Sequence, residues 1–238
     1  MCLRLLVALL LLSLTISNTL VVFARQTEQL RIAAPGPQEG PTEADLEEEL
    51  RQTREQLRSS PQFEGTDAEA HLRFAQVLHH RGDLKGATEE YQAAITLNPE
   101  LTEAYRGLGV LFIDRHDWMR AVKALTITTQ RRPEDAEAFY WLGRAHMARG
   151  NWKDASEAFA STIRLKPDDA EAYADLGLVR MVQGNVADAA EALRKAVSLK
   201  PDDADAHSLL ETVLAHQHHP EQVISAARQV LNTMFARE

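Results

Sequence analysis

Apolar residues follow three different patterns along this chain. Between Leu5 and Ala24 they are nearly continuous, reading "LLVALLLLSLTISNTLVVFA" between Arg4 and Arg25. A helix rising about 1.5 Å per residue makes that block just long enough for a hydrocarbon core of roughly 30 Å. Two readings of residues 1–24 stand. One is a retained transmembrane signal anchor; the other is a cleaved signal peptide, with Arg4 in its n-region, Leu5 to Leu14 as h-region and Val22-Phe23-Ala24 as the cleavage site. The first tethers the protein to a membrane through residues 5–24, with the rest of the chain outside the cytoplasm, in a bacterial periplasm. The second exports it.

The pattern then disappears. "RIAAPGPQEGPT" holds three prolines and two glycines and has no apolar period, which makes residues 25–44 a flexible linker. Leu46, Leu50 and Leu57 next fall at helical spacing, with Glu47 and Arg51 placed for an i,i+4 ion pair. A helix over 45–60 follows, either a cap on the apolar edge of the next domain or a short coiled coil.

From residue 67 to 238 the apolar positions recur every thirty-four residues. Pro99, Pro133, Pro167 and Pro201 share one column, and Ala87, Ala121, Ala155 and Ala189 another. A third column holds Ala75, Gly109, Gly143 and Gly177, and a fourth holds Tyr91, Leu125, Phe159 and Leu193. A fixed period of this length is the mark of a solenoid. The small residues fall midway along two successive helices of each unit and let them approach closely across a short turn. In that turn Asp83, Asp117, Asn151 and Asn185 stand where a helix N-cap is wanted. The prolines end the second helix, and the acidic residue after each one (Glu100, Glu134, Asp168, Asp202) is placed to start the next.

In these columns the chain resembles the tetratricopeptide repeat family. The units run 68–101, 102–135, 136–169 and 170–203, with a degenerate fifth over 204–238 in which Glu211 and Val223 replace the small residues. Within the regular units, His71 replaces the aromatic or leucine expected early in the first helix, and Thr128 and Thr162 replace alanine, which predicts locally looser packing. The resemblance implies an all-α fold: an α-solenoid, a right-handed superhelix of helix-turn-helix units, with terminal capping helices. The helix from Pro220 onward is the expected C-terminal cap. Its apolar residues cover about half the helical wheel, wider than the roughly 100° stripe of a one-sided helix, so a second surface beyond the last unit, a homodimer partner among the candidates, has something to cover.

Charge and chemistry narrow the function. With 238 residues and a formal charge of -9, the acidic balance of the chain argues against a nucleic-acid binder, which would usually show a basic face. Its one cysteine, Cys2, precedes the apolar block and leaves no disulfide or cysteine metal site downstream. Neither a glycine-rich phosphate loop, a G-x-S-x-G elbow nor an H-E-x-x-H helix is present, so no enzymatic activity and no cofactor are expected. The clusters His79-His80 and His216, His218, His219 fall at helix ends, where a partly cationic side chain suits the dipole, and no metal is assigned to them.

In the family, the concave face of the first helices binds partners. Carried over, that face comprises Arg106, Val110 and Ile113 in the second unit, Tyr140, Arg144 and Met147 in the third, and Leu178 and Met181 in the fourth. Its floor is apolar and methionine-containing, adaptable to an irregular partner, and its arginines suit a carboxylate. The same arginines also stand within reach of neighbouring glutamates. Where chaperone-binding members clamp a C-terminal carboxylate with lysines and asparagines, this chain has Leu72, Gln76, Gly107, Glu137 and Trp141. The expected function is therefore a non-enzymatic scaffold that holds a protein or peptide segment in its groove, in the assembly of an envelope complex. The alternative is a self-assembling structural oligomer joined through its terminal helices.

Overall fold

Each thirty-four-residue stretch folds into two helices joined by a three-residue turn. The computed structural model describes residues 67–236; the expected membrane segment, the linker and the helix over 45–60 lie outside them. First helices are α1 (Asp67–His80), α3 (Thr102–Asp114), α5 (Ala136–Ala148), α7 (Ala170–Val182) and α9 (Ala204–Ala215). Second helices are α2 (Leu84–Leu97), α4 (Trp118–Arg131), α6 (Trp152–Leu165) and α8 (Val186–Leu199), and the chain closes with α10 (Pro220–Met234). The described residues contain helices and turns only, and the fold is an α-solenoid.

Local chemistry sets the helix boundaries. Asp83 and Asp117 cap α2 and α4, accepting from the Gly86 and Arg120 amides at 2.8 and 3.1 Å. Asn151 and Asn185 hold the same position without a side-chain cap bond. The first helices start one residue later than the acidic residues after proline suggest. Asp135, Asp169 and Asp203 are the caps, accepting from the amides of Ala138, Ala172 and Ala206 at 3.0, 3.1 and 3.0 Å. A short carboxylate reaches the third helical amide only from the last non-helical residue, and the proline with its acidic neighbour forms the preceding turn. Gly150 and Gly184 turn the chain at φ 73° and 76°, a left-handed conformation natural to glycine; His116 takes φ 55° at the same place in the second unit.

The two inner columns of the repeat turn out to be one contact. A Cβ on Gly109 would lie 2.6 Å from Leu125, one on Gly143 2.7 Å from Phe159, and one on Gly177 2.6 Å from Leu193. Each glycine is the socket for the large residue sixteen positions later, which is buried along with the alanines Ala87, Ala121, Ala155 and Ala189. Between units, Tyr91 fills the space over Gly107, where a Cβ would stand 2.5 Å from its ring, and burial pushes its phenol up to about 12. The two threonines expected to loosen the packing are buried with their hydroxyls satisfied, Thr128 donating to the Ala124 carbonyl and Thr162 to that of Ala158, each at 3.2 Å. His71 is bonded through Nδ1 to Glu90 of the second helix.

Every first helix packs on its own second helix, on the second helix of the unit before and, more lightly, on the first helices beside it. The second helices take no comparable part in packing with one another, so the first helices form the inner, concave row. Helix α10 breaks this order. It barely touches α9, its neighbour in sequence, and packs instead on α7, the first helix of the fourth unit.

Gly143→Val should lower stability by about 1–3 kcal/mol, because the added carbons drive Phe159 out of its socket; thermal unfolding followed by circular dichroism measures it. Removing a cap should discriminate between the two kinds of helix start. Asp169→Ala is expected to cost about 1 kcal/mol, while Asn185→Ala, which breaks no side-chain cap bond, should stay within about 0.5 kcal/mol in the same assay.

Candidate partner-binding groove

Along the inner row the polar groove residues are paired from one unit to the next. His79 Nε2 meets Asp114 Oδ2 at 2.6 Å. Arg106 is ion-paired to Glu137, with Asp135 Oδ2 at 3.7 Å from its Nε. The Tyr140 hydroxyl donates to Glu171 Oε2 at 3.4 Å, and Arg144 Nε stands 3.9 Å from Asp175 Oδ2. Both arginines thus hold carboxylates of the following unit. Both arginines are half-buried, and their pairs tie neighbouring units.

The apolar groove residues behave differently along the row. In the second unit Val110 is half-buried, Ile113 is buried and Asp114 exposed; in the third, Met147 is buried while Arg144 and Ala148 are half-buried. In the fourth the three equivalent positions are Leu178, Met181 and Val182, and all are buried. The cause is α10. Its Val223, Ala227 and Leu231 join Met147, Leu178, Met181 and Val182 in one packed cluster, with Tyr140 and Phe235 against its edge. The structure therefore brings Tyr140, Met147, Leu178 and Met181 together and covers the last three with the chain's own terminal helix. Arg106, Val110 and Ile113 lie further along the row, outside that cluster.

Sequence reasoning passed over Asp175. Its side chain is about 14% exposed and sits between Arg144 and Tyr140. Burial pushes its carboxyl up to about 6, against the pull of the Arg144 guanidinium and the Tyr140 hydroxyl and with a smaller upward push from Glu171 and Asp169. The Tyr140 phenol is raised too, chiefly by burial and then by Asp175. Arg144 Nε and Asp175 Oδ2 are both buried without a hydrogen-bond partner, a costly arrangement for two charged groups in contact. The available signal was the acid itself, standing where the third unit has Trp141 and the second Gly107. Among the described residues no group of three or more histidines, cysteines or acids is placed to hold a metal ion, and no helix is long and apolar enough to cross a membrane.

A carboxyl that holds its proton more tightly folded than unfolded loses stability for the protein as pH rises through the gap. Stability therefore falls from about pH 4, where the unfolded carboxyl ionises, until the folded Asp175 gives up its own proton above about pH 6. Asp175→Asn should therefore unfold in urea with an advantage on the order of 1–2 kcal/mol over wild type at pH 7 and with none at pH 4. The opposite trend would mean that Arg144 dominates the site.

Comparison with known proteins agrees with the solenoid. No curated protein matches the chain. Among solved structures, MamA is similar at 25% identity and a TM-score of 0.59, over 66% of this chain and 92% of that one. MamA residues 41 to the end from Desulfovibrio magneticus RS-1 align at 22% identity and a TM-score of 0.62, over 70% and 94%. YrrB, described as a TPR protein with an unusual peptide-binding site, aligns at 19% identity and a TM-score of 0.61, over 77% and 91%. The sequence profile that matches, over residues 42–237, is that of the Cilia and flagella-associated protein 70 C-terminal domain. The chain belongs to this family, and the repeats that build it are tetratricopeptide repeats.

Proposed function

We propose that the protein is a non-enzymatic scaffold that holds a segment of another protein against the concave face of its first three units. Residues 1–24 carry it to or across a membrane, as a retained anchor or a cleaved signal, and the complex it helps assemble belongs to the cell envelope. The observation that carries this reading is the contrast along the inner row. Gln76 and Asp114 are exposed and Arg106, Val110, Tyr140 and Arg144 half-exposed, whereas the equivalent surface of the fourth unit is sealed. An uncovered strip of apolar and ion-paired residues on a rigid inner face is the kind of concave surface on which repeat proteins bind partners. The peptide-binding site described for YrrB gives the same architecture a comparable use. Joining copies through α10 has less support, because the apolar stripe of that helix is already packed within the chain.

A photo-crosslinking residue at Val110, in the groove, and another at Lys123, exposed on the second helix α4, provide the test in cells. Protein adducts should form from Val110 and scarcely from Lys123, and they should fractionate with the envelope. Arg106→Glu should reduce the Val110 adduct about tenfold if that arginine orients the partner through a charge-assisted bond. Equal adducts from both faces would overturn the groove assignment.

A further inference from the structure

Helix α10 occupies the groove as a ligand would. It reverses the direction of the solenoid: Ile224 lies against Gly184 in the turn of the fourth unit. One helical stretch of about 16 Å later, Phe235 meets the Trp118 ring edge-on at 5.4 Å in the second unit. The residues turned inward are Val223, Ala227 and Leu231, at four-residue spacing, with Phe235 one turn beyond. Near its end, Thr233 and Met234 share a cleft with Arg115 and Arg149 from the turns of units two and three. The partial negative charge at a helix C-terminus is favoured beside two guanidiniums. The connection to α9 is four residues, His216 to His219, and α10 makes little contact with α9 itself. Its hold on the molecule thus comes from the groove, from this short tether and from Val213 of α9, which joins the same buried cluster.

We infer that the groove of units three and four, with the turn edge of unit two, is a binding site for an amphipathic helix, that α10 is its tethered resident, and that a partner helix of like chemistry displaces it. The partner carries branched or small apolar residues four apart with alanine at the centre, then an aromatic residue one turn on. It lies with its C-terminal end toward Arg115 and Arg149. The small central residue is required because Ala227 is completely buried on this surface, leaving no space for a longer side chain. A short tether holds α10 at an effective concentration in the millimolar range. Only a partner that outbinds it gains the site, and any change that weakens α10 in place raises the apparent affinity for an incoming helix. This rests on the reading of the protein as a groove-binding scaffold and names the occupant of the groove's far end.

The test uses a fluorescein-labelled peptide of residues 218–236 and the full-length chain, with anisotropy as readout. Ala227→Arg in the chain evicts its own α10, and the peptide should then bind at least about 30-fold more tightly than to wild type, raising the melting temperature of the variant but not of wild type. Phe235→Ala keeps most of α10 in place and should give a smaller gain of about fivefold. A peptide that binds wild type and both variants equally, or that fails to bind a folded Ala227→Arg chain, would overturn the proposal and make α10 a fixed cap. Should Ala227→Arg fail to fold, the Phe235→Ala comparison decides alone. A stable wild-type dimer that Ala227→Arg converts to monomer would also overturn it, because α10 would then be exchanged between two copies. The Val110 crosslink reports on the open half of the groove and does not depend on α10, so the two failures are distinguishable.

Discussion

The second, third and fourth units each depend on one steric contact, the seating of a large side chain on the second helix into the space left by a missing one on the first. Leu125, Phe159 and Leu193 lie where the Cβ of Gly109, Gly143 or Gly177 would otherwise be. The contact sets the distance between the two helices, and that distance sets where the next unit can stack. Because a single helix pair cannot bury its apolar face, the error from one badly spaced pair is passed to its neighbours, and the same contact recurs in three consecutive units. Tyr91 over Gly107 repeats the device between units. The conformation the columns demand is therefore local, and its stability is collective.

On this frame the inner face is divided into two chemically different halves. Toward the N-terminal units the inner face is a ladder of polar pairs, His79 bonded to Asp114, then Arg106 to Glu137 and Arg144 beside Asp175, each joining one unit to the next. Toward the C-terminal end it becomes apolar, and the chain closes over it. Leu178, Met181 and Val182 exposed together would form an apolar patch of the kind that invites association. Helix α10 removes that patch from water. Asp175 lies where the two regimes meet, a carboxyl whose proton affinity burial raises while Arg144 approaches without completing a hydrogen bond.

Much of the solenoid was legible in the sequence because the information is periodic: glycine, alanine, aromatic or leucine, and proline return at fixed intervals, and each has a local physical meaning. The helix starts were legible to within a residue, since an acidic residue after proline and the Asp one step later read alike until the backbone decides which is the last non-helical residue. The residues named for the groove lie on the first helices, and the structure places Tyr140, Met147, Leu178 and Met181 in one cluster. That α10 covers three of them was not legible. Its wide apolar stripe showed that the helix needed more than one surface, and the apolar run of Leu178, Met181 and Val182 showed a surface in need of cover, but nothing in either pattern paired the two.

The sequence by itself determined the repeat, its helix pairs and the identity of the residues facing inward, because all of these follow from neighbours within about one unit of chain length. Only the tertiary structure decided what the last helix does. Helix α10 had two routes to bury Val223, Ala227 and Leu231: against α9, as a further second helix, or back across the groove onto α7. In the degenerate unit Glu211 occupies the socket position that holds glycine in α3, α5 and α7, so a close pair with α9 has no seat for a large residue. The groove offered an apolar floor with a small-residue fit and two arginines at its far end. That choice compares surfaces far apart in sequence, and a local pattern carries no record of it.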